Sequence, residues 1–216
     1  MNKLITIDGP AASGKSSVSR LLAKKLSWPW VSTGAFYRGL AFVALQKGLG
    51  KDQKAELLEL VTDPVWKVQM TPEFTEVWFD GNDVTEQIGG EEIGAMASQI
   101  SQIPEVREAL LQRQRNCFDP EVGLIAEGRD CGTVVFPQAE LKVYLTASAA
   151  QRALRRSGEE SADLDKTMEM QKVRDREDSQ RKSAPLKIAE GGIKIDSSFL
   201  SLDEVVAQVF ALYQTK

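Results

Sequence analysis

The sequence has no histidine, which removes Ser–His–Asp and Cys–His catalysis and every histidine-based metal site. Cysteine is scarce. Cys117 and Cys131 fit neither a CxxC pair nor a zinc-ligand spacing, so both are expected to be buried or half-buried structural thiols. No apolar run approaches the ~20 residues that a membrane helix requires. The opening MNKLITIDGP enters a strand and a glycine loop directly, without the apolar core and cleavage site of a secretion signal. A cytoplasmic protein that engages no membrane is the expectation, in keeping with the lack of a disulfide framework. A surplus of positive charge is also missing: 27 basic against 31 acidic side chains give a net charge of −4. That balance excludes a dedicated non-specific nucleic-acid binder. Internal repeats and low-complexity tracts are absent. What is present, 216 residues of which 42 % are hydrophobic, suffices for one domain with a sizeable core whose chemistry runs on charge and positioning.

The pattern along the chain alternates strands and helices, which predicts a parallel α/β sheet. Lys3–Asp8, Trp30–Ser32, Gly123–Glu127, Leu141–Thr146 and Ile193–Asp196 read as short buried strands. Helical spacing runs from Ser16 to Leu26, over Ala35–Lys47 with Gly48 placed to end it, and from Asp52 as a cap to about Val61. It resumes from about Glu91, with Pro104 as the first residue of a helix reaching Phe118. Between these, Val65–Met70 and Glu76–Phe79 are β-branched or aromatic runs with turn residues at Asp80–Asp83, predicting an inserted antiparallel meander. Ala149–Lys182 is helical in pattern, dense in both charge signs and interrupted near Gly158, as suits a solvated helical pair. Ser201 with Glu204 predicts a capping box for a closing helix to Tyr213.

Gly9-Pro10-Ala11-Ala12-Ser13-Gly14-Lys15-Ser16 matches G-x-x-x-x-G-K-[ST] between a predicted strand and a predicted helix. Glycines let the backbone wrap closely enough for its N–H groups to face phosphate oxygens. The helix start, which includes Ser17, adds unpaired donors and about half a positive charge. In this pattern Lys15 reaches the β- and γ-phosphates and the Ser16 hydroxyl can ligate Mg²⁺ accompanying ATP. The loop alone does not separate a kinase from an ATPase or a nucleotide switch.

The residue types elsewhere bear on the acceptor. An alcohol or amine acceptor benefits from a general base. A phosphate acceptor is already anionic, and its site must instead quench the repulsion between two polyanions, which calls for arginines. Arg38 lies near the start of an otherwise apolar helix. Arg129 directly follows a buried strand, where ligand crevices open in parallel sheets. Arg174 and Arg181 flank Asp178 in the late charged segment. Taken singly, such arginines are more often solvated or salt-bridged, and Asp130 equally suits a turn.

Five segments together resemble one family, the bacterial cytidylate kinases among the nucleoside monophosphate kinases. They are IDGPAASGKSSV, STGAFYRGLA, EGRDCGTVVFP, LKVYLTAS, and the pairing of RDREDSQRKSAPL with IDSSFLSLDEVV. The resemblance implies a P-loop kinase fold that transfers the γ-phosphate of ATP to CMP or dCMP with Mg²⁺. It implies Arg38 and Arg129 on the acceptor phosphate, with Thr33, Tyr37 and Glu127 lining that pocket; Glu127 stands where some members have aspartate. Cytosine recognition falls to Ser98, Arg107 and Asp130, the ribose to Asp178 with Arg174 and Arg181 between ribose and phosphates, and lid contacts with ATP to Arg152 and Arg156. Lys15, Arg38, Arg129, Arg174 and Arg181 form the expected catalytic set. The chain is expected to act as a monomeric single kinase unit with a core at about 1–62, 91–148 and 183–216, a monophosphate-binding insert at about 63–90, and a lid at about 149–182.

Two other readings compete. A kinase of the same architecture acting on AMP, UMP or shikimate shares the loop and differs in the second pocket. A nucleotide-gated switch for a protein partner is opposed by the arginine-rich pocket and by the lack of a DxxG segment after a strand.

Overall fold

The computed structural model describes residues 3–160 and 184–216, without the side chains of 156–160. Five all-parallel strands form the central sheet: β1 (Leu4–Asp8), β2 (Trp30–Ser32), β6 (Leu124–Gly128), β7 (Leu141–Thr146) and β8 (Ile193–Asp196). Their spatial order is β2-β6-β1-β7-β8. In register, Leu4 faces Leu124 and Asp8 faces Gly128, so β1 and β6 end side by side.

Period-2 alternation along the inner strands feeds two separate cores. Leu4, Val31, Leu124 and Ala126 pack on one face against α2 (Gly34–Gln46), α3 (Lys54–Thr62), α4 (Glu91–Ile100) and α5 (Pro104–Arg115). Ile5, Ile7, Ile125 and Val143 pack on the other against α1 (Lys15–Leu26) and α7 (Leu202–Gln214). Both faces are covered, as a parallel sheet of near-continuous apolar strands requires. The capping box of Ser201 and Glu204 is present at the start of α7.

The expected meander is an antiparallel three-strand sheet of β3 (Trp66–Met70), β4 (Thr75–Phe79) and β5 (Asn82–Asp83). It is stitched to the outer edge of β2. Trp30 N–H donates to Thr71 O at 3.3 Å, Thr75 Oγ1 donates to Trp30 O at 2.9 Å, and Ser32 N–H donates to Thr75 Oγ1 at 3.2 Å. The insert thereby satisfies backbone groups that an edge strand would leave open.

Two local expectations are corrected. Asp52 does not cap α3: Gln53 holds that position, and its Oε1 accepts the Gly50 N–H at 2.7 Å, closing the turn before the helix. No break occurs at Gly158, because α6 (Ala149–Glu160) continues through it. A helical glycine costs only about 1 kcal/mol against alanine, too little by itself to end a helix. The two thiols are as expected, Cys117 half-buried and Cys131 buried. Burial raises the Cys117 thiol to about 11, and burial with neighbouring carboxylates pushes Cys131 well up.

Candidate active site

The chain order reverses around β1, so the loops after β1, β2 and β6 open on one crevice at the carboxyl ends of the strands. The loop after β1 curls through Gly9 (φ +154°), Ala12 (φ +56°) and Gly14 (φ +91°) before α1 begins at Lys15. A Cβ on Gly9 would strike the Leu145 carbonyl, so only glycine fits there. Lys15 is 6 % exposed and its Nζ arcs back to donate to Pro10 O at 2.8 Å. The ammonium therefore lies across the loop that would cradle a phosphate chain.

Two arginines brace the loop from behind. Arg152, buried on α6, donates to Ala11 O at 3.2 Å and to Ala147 O at 3.2 Å. Arg155 donates to Ser13 O at 3.3 Å and to Ser197 O at 2.6 Å. These bonds tie the Ala11 and Ser13 carbonyls of the loop to α6. Sequence reasoning missed Arg155; its i, i+3 spacing from Arg152 places it on the same helix face, which is the signal that could have found it.

The loop after β6 carries the next group. Arg129 Nη1 donates to Gly9 O at 2.8 Å, joining this loop to the phosphate loop. Asp130 forms a buried ion pair with Arg107 of α5 at 2.6 Å. The Arg107 guanidinium also lies over the Tyr37 ring at 5.6 Å and donates to Ser101 O at 3.3 Å. Ser101 Oγ in turn donates to Ser98 O at 2.7 Å, so half-buried Ser98 adjoins the same cluster. Thr33 Oγ1 donates to Glu127 O at 3.0 Å beneath it. Arg38 extends from α2 to the end of the insert, where Nη1 donates to Ile88 O at 2.6 Å.

Glu127, expected to line the acceptor pocket, turns its side chain towards α1. Its carboxylate, 4 % exposed, accepts the Ser16 hydroxyl at 3.1 Å, on the phosphate-loop side of the crevice. Ser16 and Glu127 thus offer hard oxygen ligands at one point. No group of three or more His, Cys, Asp or Glu suited to a metal occurs among the described residues. That sparse donor set fits Mg²⁺, which takes one or two protein oxygens and completes its shell from phosphates and water. Ser17 lies on the first turn of α1. Arg174, Asp178 and Arg181 lie outside the described residues, as does the Arg156 side chain.

The family model described as Cytidylate kinase matches residues 5–215. The chain belongs to the cytidylate kinase family. A cytidylate kinase from Bdellovibrio bacteriovorus is 54 % identical over 216 residues, covering 100 % of both chains. One from Pseudomonas syringae pv. tomato is 44 % identical over 215 residues, covering 96 % of this chain and 93 % of the relative. Among solved structures, a gluconokinase from Sinorhizobium meliloti superposes with a TM-score of 0.54 at 13 % identity, covering 99 % of this chain and 93 % of the other. An uncharacterized protein from Eubacterium ventriosum gives 0.56 at 13 % identity over 100 % of each chain. These likenesses speak to fold alone, and the family's P-loop kinase architecture is the one expected from the sequence. No helix among the described residues is long and apolar enough to cross a membrane.

Proposed function

We propose that the chain transfers the γ-phosphate of ATP to CMP or dCMP, giving CDP or dCDP and ADP. What supports this most directly is the short loop after β6. It hands Arg129 to the phosphate loop and the adjacent Asp130 to a buried pair with Arg107. One strand end therefore serves a phosphate and a base together.

The phosphate loop and Lys15 hold the donor phosphates. Ser16 with Glu127 would hold Mg²⁺, which would supply positive charge to offset that on the transferring group. Arg129 and Arg38 hold the acceptor phosphate in line with the γ-phosphorus. An acceptor phosphate needs no general base, so a site without histidine suffices. The protein's contribution is positioning and charge stabilisation. On the base side, Asp130 accepts from the cytosine amino group while Arg107 donates to the ring nitrogen and carbonyl. Uracil presents a carbonyl in place of that amino group and would leave the buried carboxylate facing an acceptor. Asp178, Arg174 and Arg181 are assigned to the ribose and phosphates. Arg152 and Arg156 are assigned to the ATP side, the first through the loop. Residues 63–90 serve as the monophosphate-binding insert and 149–182 as the lid of one monomeric, cytoplasmic kinase unit.

The test is an initial-rate comparison of CMP, dCMP, UMP and AMP in a coupled assay of ADP release. CMP and dCMP are expected to exceed UMP in kcat/KM by at least about tenfold, with ATP turnover negligible until an acceptor is added. A preference for AMP, or equal turnover without any nucleoside monophosphate, rejects the reading.

A further inference from the structure

One buried acid lies between the two loops and has no part in the mechanism above. Asp8, the last residue of β1, is 3 % exposed. Its Oδ1 accepts the Cys131 N–H at 2.8 Å and its Oδ2 accepts the Gly132 N–H at 2.7 Å. Both amides open the wide π-helical turn Cys131–Val135 that follows Arg129 and Asp130. The next residue along, Gly9, accepts from Arg129 at 2.8 Å. Two consecutive residues at the root of the phosphate loop are therefore bonded three times to the loop bearing Arg129 and Asp130.

The fit at this joint leaves no slack. A Cβ at Gly132 would come within 2.8 Å of Thr6 Oγ1 and 3.3 Å of Asp8 Oδ2, and one at Gly128 would collide with Thr33 Oγ1. Burial pushes the Asp8 carboxyl up to about 6, against the downward pull of its two amide bonds. A buried charge is disfavoured at a position where an uncharged side chain would fold more easily. A carboxylate nevertheless has one property that asparagine lacks. It accepts two parallel N–H bonds, whereas the amide nitrogen of asparagine would meet one N–H with another.

We propose that Asp8 is a positioning residue that sets the separation of the Arg129–Asp130 loop from the phosphate loop, and so aligns the acceptor phosphate with the γ-phosphorus. This rests on the reaction assigned above. Each loop keeps its own ligand-binding groups without Asp8, so affinity survives its loss. In-line transfer is far less tolerant, since small misplacements of the reacting atoms cost large factors in rate.

The experiment compares Asp8→Asn with the wild type, measuring kcat, both KM values and Tm. A wild type that releases no ADP in response to CMP rejects the assigned reaction and says nothing specific to Asp8. With an active wild type, kcat of Asp8→Asn is expected to fall at least about tenfold, with KM for ATP and for CMP each within about threefold. Its Tm is expected to be no lower than that of the wild type. A kcat within about twofold of the wild type overturns the proposal, as does a loss carried wholly by KM or matched by a fall in Tm. If the amide variant does not fold, Asp8→Ser, which keeps an oxygen acceptor in less volume, is read by the same criteria. Failure of both to fold makes Asp8 a folding residue and overturns the proposal too.

Discussion

Arg107 and Asp130, assigned above to the cytosine, form a buried pair on which stability depends. Each is nearly buried and their closest atoms are 2.6 Å apart. Removing one leaves the other charge stranded in a low dielectric. Arg107→Ala is therefore expected to lower stability by about 3 kcal/mol, read as a drop in Tm. The double variant Arg107→Ala/Asp130→Ala should lose less stability than the two single losses combined, because neither charge is left alone. Lys15 and Arg129 carry the opposite signature. Each is expected to lose at least about a hundredfold in kcat on substitution by alanine, with the fold intact by circular dichroism.

Asp8 supplies a pH test at the same scale. Its carboxyl is raised from 3.8 to about 6 in the folded chain, so folding favours the protonated form. The stability it contributes is fully present below pH 3.8 and is lost as pH rises through about 6. That gap, at 1.36 kcal/mol per pKa unit, is on the order of 3 kcal/mol. Asp8→Asn lacks this titration. Its Tm relative to the wild type should therefore be higher at pH 7.5 than at pH 4.5, and a constant difference across that range would remove the link.

The element that deserves a direct test is the insert. Thr75 on β4 holds two backbone groups of β2, the Ser32 amide and the Trp30 carbonyl. Thr75→Val keeps the shape and removes both bonds. A loss of about 1–2 kcal/mol is expected, with faster amide exchange across Trp66–Phe79 than in the central strands. Uniform acceleration over the whole sheet would instead mean that insert and core open as one unit. This stitch was not legible in the sequence. Val65–Met70 and Glu76–Phe79 announced strands by composition, yet nothing local says that a threonine would bond a strand more than forty positions earlier. The particular partners of Arg155 and Asp8, carbonyls and amides brought close by the sheet, were hidden in the same way. Arg129 stood out in the sequence because a strand end in a parallel sheet is a general address. Asp8 sits at an equally general address, beside the phosphate loop, and could have been flagged by that rule.

Across the whole molecule, β1 and β6 were readable because burial on both faces forces near-continuous apolar runs, and β7 and β8 because apolar residues alternate with polar or half-exposed ones. Strand order was not readable: it places β6 between β1 and β2, although residues 33–123 separate β2 from β6 in the chain. That order is what sets Glu127 beside Ser16, a contact between residues 111 positions apart. A residue's role here follows from which strand ends adjoin, and the one-methylene difference of Glu127 from aspartate matters only once that neighbour is known.

The seam between insert and sheet has a practical corollary for anyone trimming this chain to a minimal kinase. Excising residues 64–90 would strip the outer row of β2 and leave the Trp30 amide and carbonyl and the Ser32 amide facing solvent. A bare parallel strand of that kind recruits other chains. The shortened protein would be expected to scatter light and self-associate well before its catalytic competence could be judged.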